Sequence, residues 1–126
     1  MDINSHPGEN IFMKQFCLAC DLKEDENLIR AYEDYHQKVW PEIKDSLQQA
    51  GVRDMEIYRT GNRLFMIIHV TDDFSFDKKA AMDLANPIVQ EWETKMSEFQ
   101  KPVPWAGKDV KWLLMERIFK LDEREP

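Results

Sequence analysis

The chain has 126 residues, a formal net charge of -7 and a hydrophobic fraction of 43%, the profile of one soluble-type domain large enough to bury a core without staples. Its acidic balance, with no clustered Lys/Arg stretch, excludes nucleic acid and anionic membrane as main partners, because binding phosphates needs concentrated basic charge. No run approaches the ~18 apolar residues of a membrane span, and the N-terminus carries no hydrophobic signal core.

Residues 1–12, "MDINSHPGENIF", read as a polar leader outside the fold. From Met13 to Leu22, "MKQFCLACDL" reads as a first strand. Its cysteines, Cys17 and Cys20, are three positions apart, which in a strand sends them to opposite faces and spoils chelation. No second pair exists to complete a zinc site. Buried thiols in a reducing, cytoplasmic setting are the expectation. Asp25 then stands as a helix N-cap with Glu26 in the first turn. Leu28, Tyr32, Tyr35, Val39, Ile43, Leu47 and Ala50 recur at three- and four-residue steps, marking an amphipathic helix that Gly51 ends. Pro41 has no amide hydrogen and disfavours helical geometry at Trp40, so that helix should kink or restart there.

"DMEIYRT" and "RLFMIIHV" flank Gly61-Asn62, a hairpin signal. A second helical stretch runs from Asp77 toward Gln100, interrupted at Asn86-Pro87, where proline can open a new helix. "KPVPWAGKD" is a loop by its Pro and Gly content, "VKWLLMERIFKL" a last strand, and residues 122–126 a charged tail. One domain over residues 13–121 results.

The order β-α-β-β-α-β predicts an α+β, ferredoxin-like split arrangement: an antiparallel four-stranded sheet with helices on one face. Apolar residues on both faces of "RLFMIIHV" leave the other sheet face in need of cover, most economically from a second copy of the chain. A homodimer joined sheet to sheet is expected.

For chemistry, His36 draws attention first. A lone histidine on a helix more often packs or faces solvent, but Tyr32 and Trp40 lie one turn before and after it. An imidazole with an ordinary pKa of about 6.5 suits proton transfer in both directions near neutrality. Trp92 beside Glu93 suits either a core or a carbohydrate, since aromatic faces stack on sugar C–H faces and carboxylates bind hydroxyls. Glu56, Asp72, Asp73, Asp77 and Asp83 have no metal-site spacing, and Met55, Met66, Met82 and Met96 read as core filler. There is no phosphate loop, nucleophile elbow or dinucleotide fingerprint. The expectation is no metal and no cofactor. Taken alone, these residues leave enzyme and binding module both open.

The stretch "YEDYHQKVWPE", residues 32–42, resembles the L-rhamnose mutarotase family, whose motif runs Tyr, three residues, His, three residues, Trp-Pro-Glu. The likeness spans roughly residues 13–120, through "IYRTGNRLFMIIHV", "QEWETKM" and "MERIFKL". The resemblance implies a dimeric ferredoxin-like fold that interconverts the α and β anomers of a 6-deoxy-L-sugar without metal or cofactor. It implies His36 as proton donor, with Tyr32 and Trp92 against a monosaccharide substrate. Two positions depart from the pattern: Glu93 stands where the rhamnose enzymes have a second tryptophan, and Met55 where they have a substrate-binding tyrosine. The resemblance therefore implies the same reaction on a related sugar, L-fucose first and L-rhamnose second. The alternatives are a cofactor-free monooxygenase of the dimeric α/β barrel type and a non-catalytic sugar-binding module.

Overall fold

The computed structural model describes residues 14–122; the leader 1–12, Met13 and residues 123–126 of the tail lie outside them. The element order is β1 (Lys14–Leu22), α1 (Glu26–Tyr35), α2 (Pro41–Gln49), β2 (Val52–Thr60), β3 (Arg63–Val70), α3 (Phe76–Leu84), α4 (Pro87–Ser97), β4 (Gln100–Lys101) and β5 (Leu113–Leu114). All pairings are antiparallel, in the order β2-β3-β1-β4, with β5 also on β1. This is the expected α+β ferredoxin-like arrangement, with each of its two helical connections split in two.

Local chemistry accounts for the breaks. Asp25 caps α1 by accepting hydrogen bonds from the amides of Asn27 and Leu28. The first connection breaks at the predicted place: Trp40 is extended, with φ -56 and ψ 136, and Pro41 is the first residue of α2. Asn86 likewise caps α4 with Pro87 at its start. Gly51, at φ +100, closes α2 where an added Cβ would meet Thr71 Oγ1 at 2.7 Å, so only glycine fits there.

Two expectations need correction. The sheet has five strands rather than four, because the second helical stretch stops at Ser97 and Gln100 joins β1 opposite Leu22. The last strand is also far shorter than residues 110–121: only Leu113 and Leu114 pair, with Ala19 and Leu18. β4 holds the Asp21–Leu22 end of that edge of β1, and β5 pairs beside it at Leu18 and Ala19, after which the Met115 amide donates one last bond to the Cys17 carbonyl at 2.8 Å. Residues 115–120 form no strand, and Ile118, Phe119 and Leu121 are exposed.

The helices cover one sheet face. Cys20, Leu22, Leu64, Ile68 and Val70 are buried among Tyr32, Ile43, Val89, Trp92, Met96 and Phe99. A bulge at Arg53, between Val52 and Asp54, resets the alternation of β2 so that Val52, Met55 and Ile57 all turn to this side. On the outer face the register sets Cys17 opposite Ile67, Ala19 opposite Phe65 and Tyr58 opposite Phe65. Cys20 is thus buried, with burial pushing its thiol up to about 12, while Cys17 is half-buried on the far side. Buried Asp21 is held by a forked pair from Arg63 at 2.7 and 3.1 Å, which ties β1 to β3 next to the hairpin. Leu64, 1% exposed at the centre of the core, should lose about 2–5 kcal/mol of stability on Leu64→Ala, measured as a shift in the urea midpoint with unchanged slope.

Candidate active site

Between the helical layer and the sheet lies a cavity of about 320 Å³. That is at the small end of ligand pockets, roughly 300–1,000 Å³, and suits a small molecule. The sheet contributes Leu18, Met55, Met66 and Ile68, and the helices contribute Ile43, Val89, Trp92 and Met96. Into this apolar wall are set Tyr32, His36, Ser46, Lys79, Asp83, Glu93 and Gln100. Five residues expected at the site, Tyr32, His36, Met55, Trp92 and Glu93, therefore line one cavity.

His36 is the C-cap residue of α1 and its imidazole stacks tilted on Tyr32, ring centroids 4.3 Å apart, with Trp92 edge-on at 5.7 Å. Its Nδ1 lies 2.8 Å from the Tyr32 carbonyl oxygen. A carbonyl only accepts, so Nδ1 carries the hydrogen and, in the neutral ring, Nε2 is a bare acceptor. Desolvation holds the His36 pKa below its ordinary value, against the hydrogen bond to Tyr32. The resting imidazole is therefore a neutral base, free to take a proton and return it.

Trp40 behaves differently from the flanking ring that its spacing suggests. It sits beyond the end of α1, packs edge-on to Trp92 at 5.0 Å and is not in the cavity wall. It backs the wall; Trp92, 6% exposed, is at once core and wall. Tyr32, 3% exposed, keeps its phenol within reach of the Gln100 amide at 3.2 Å. Burial raises its pKa far above the phenol range, so it stays protonated.

One side of the cavity is charged. Lys79 pairs with Asp83 at 2.7 Å along α3, and the Gln90 side chain donates to the Asp83 carbonyl at 2.9 Å, holding α3 against α4. Glu93 is exposed as a residue, yet the protein around its carboxyl raises its pKa by desolvation, while Lys111 and Lys79 pull it back. Lys79, Asp83, Ser46, Gln100 and Trp112 are site residues that the sequence did not announce. Lys79 and Asp83 read as an ordinary solvated helix pair, and Gln100 lies where a helix was expected to run on. Among the described residues no group of three or more His, Cys, Asp and Glu is placed to hold a metal ion.

The L-rhamnose mutarotase family profile matches residues 15–121. The chain belongs to this family. It is accordingly a sugar mutarotase, an isomerase that interconverts anomers. It is 43% identical over 113 residues to a protein of Xanthomonas campestris pv. campestris named L-fucose mutarotase, an alignment covering 88% of this chain and 90% of that one. It is 37% identical over 76 residues to an L-rhamnose mutarotase of Jannaschia sp., covering 58% and 68%. A solved L-rhamnose mutarotase from Formosa agariphila shares the fold at a TM-score of 0.63 and 22% identity, covering 86% of this chain and 99% of that one.

The state of His36 is directly measurable. Its imidazole should titrate with a midpoint below 6.5 in a proton NMR pH series. The sign for stability follows. The unfolded chain takes up the His36 proton at a higher pH than the folded one does, so the His36 contribution is intact above about 6.5 and is lost as pH falls through the lower folded value. A midpoint above 6.5 would contradict the neutral-base assignment.

Proposed function

We propose that this mutarotase acts on L-fucose in preference to L-rhamnose, with His36 as the proton-transfer residue and Tyr32, Met55, Trp92 and Glu93 as the sugar contacts. One observation carries the chemistry: an imidazole in the cavity wall whose Nδ1–H is committed to the Tyr32 carbonyl, leaving Nε2 as base. Anomer exchange requires the anomeric hydroxyl to lose a proton while the ring oxygen gains one. The ring opens, the aldehyde end rotates, and the ring recloses on the other face. Nε2 takes the hydroxyl proton on opening and gives it back on closing, while a second side chain or a water gives the ring oxygen its proton and recovers it.

The reaction already proceeds in water, so little help is required. Positioned acid/base catalysis supplies roughly 10²–10⁴-fold, about 3–5 kcal/mol of barrier, within reach of one histidine and a well-held sugar. Apolar residues and the edge-packed Trp92 match the C–H faces of a 6-deoxy sugar and its methyl group. Glu93 and the Lys79–Asp83 pair match its hydroxyls. L-Fucose and L-rhamnose differ in configuration at C2 and C4, where such groups discriminate. The preference for fucose is supported by the 43% relative of that name and by the carboxylate at position 93.

The working form we propose is a cytoplasmic homodimer. Two free cysteines support the compartment. The outer sheet face, with Cys17, Tyr58, Phe65 and Ile67, and the exposed Ile118, Phe119 and Leu121 support the pairing. No helix among the described residues is long and apolar enough to cross a membrane.

Saturation-transfer NMR between the two anomeric protons of each sugar tests the reading. Exchange should accelerate for L-fucose above L-rhamnose, and His36→Ala should lower kcat by about 10²-fold or more with KM little changed. Glu93→Ala should cost about 10–10²-fold in kcat/KM for the preferred sugar, as for one hydrogen bond to a charged group. Buffer-rate exchange for both sugars with the intact protein would end the proposal. Sedimentation should report twice the chain mass, and Ile67→Glu on the outer face should release the single chain.

A further inference from the structure

Ring opening needs a second group, one that gives the ring oxygen a proton while His36 accepts the anomeric one. We propose that Tyr32 is that donor and that Gln100, from β4, is the positioning residue that aims its hydroxyl. The inference rests on the mutarotase reading and deepens it.

Gln100 is a buried residue on a two-residue strand, fixed by its ladder position opposite Leu22. Its Nε2 donates to Tyr32 Oη at 3.2 Å across 68 positions of sequence. With one lone pair of the phenol taken by that N–H, the phenolic hydrogen points elsewhere, and among the described residues no acceptor receives it. Tyr32 and Gln100 both line the cavity. The other end of the amide, Oε1, is buried and has no hydrogen-bond partner among the described residues. A buried amide with one end unpaired is a poor packing device. What it does provide is a donor held to one side of a phenol.

Two-point proton transfer needs its two groups side by side. The Tyr32 and His36 rings stack with centroids 4.3 Å apart in one cavity wall, and the anomeric and ring oxygens of an aldopyranose are bonded to the same carbon. In the opening step the O1–H proton passes to His36 Nε2 and the O1 electrons form the C1 carbonyl. The C1–O5 bond breaks with its pair on O5, and O5 takes the Tyr32 proton. The resulting phenolate is stabilised by the Gln100 N–H and by the adjacent imidazolium. After rotation about C1–C2, O5 returns its proton to the phenolate as it attacks the other face, and the imidazolium reprotonates O1. Nothing else is consumed. The raised phenol pKa keeps the donor charged with its proton throughout the neutral range.

A double-mutant cycle on anomer exchange tests this. Tyr32→Phe should lower kcat by about 10–10³-fold with KM within a few-fold. Gln100→Met should lower kcat by about tenfold in the native background and by nothing further in the Tyr32→Phe background. Gln100→Glu should do at least as much damage as Gln100→Met, because a carboxylate would accept the phenolic hydrogen and turn it from the sugar. Equal losses from Gln100→Met in both backgrounds would make Gln100 merely structural. Full activity in Gln100→Glu would show that the amide acts as acceptor, and intact kcat in Tyr32→Phe would remove the donor; each overturns the proposal. Should Gln100→Met not fold by circular dichroism, Gln100→Glu and Tyr32→Phe decide alone. Failure of the native protein to exchange any sugar would strike the mutarotase reading instead, a separable result.

Discussion

The hydrogen bond from His36 Nδ1 to the Tyr32 carbonyl carries the site. It is possible because α1 ends there: Trp40 is extended ahead of Pro41, so His36 is a cap, and the Tyr32 carbonyl, which receives only a long 3.3 Å bond from the His36 amide, also accepts from the imidazole. A carbonyl is an acceptor in every protonation state, which makes the tautomer a consequence of backbone geometry. The Tyr32 and Trp92 rings against the imidazole then restrict its rotation and thin its water, and that desolvation keeps it neutral. Orientation, tautomer and charge state follow from one helix end.

The cavity around it is divided in its chemistry. Sheet and core helices present methyl, thioether and indole surfaces, while α3 and the edge of α4 bring Lys79, Asp83 and Glu93 to one side. Such a split fits a ligand that has an apolar face and a hydroxyl edge. It also explains how catalytic and structural duties coexist in few residues. Trp92 is core for α1 and α4 and wall for the cavity, so the histidine's surroundings are as rigid as the core itself.

Much of this was legible in the chain. The cap at Asp25, the prolines at 41 and 87 and the Gly61-Asn62 turn act over a few residues, so the helices, the hairpin and their order could be read directly. The Tyr-His spacing is equally local: four residues on one helix face place two rings together wherever the helix goes. Gln100 and residues 115–121 depart from the sequence expectation for the opposite reason. Whether they pair depends on what distant β1 offers along its edge, and no neighbour in sequence carries that information.

By itself, then, the sequence determined the α+β order, the split connections and the pairing of His36 with Tyr32, because hydrogen bonds and sterics within one turn decide them. Tertiary structure alone decided that Met55 faces the cavity, through the bulge at Arg53. It also decided that Trp40 backs the wall rather than forming it, and that Gln100 arrives under the Tyr32 hydroxyl. Each of those depends on how separate elements stack and register against one another, and packing between distant segments leaves no periodic trace in either of them.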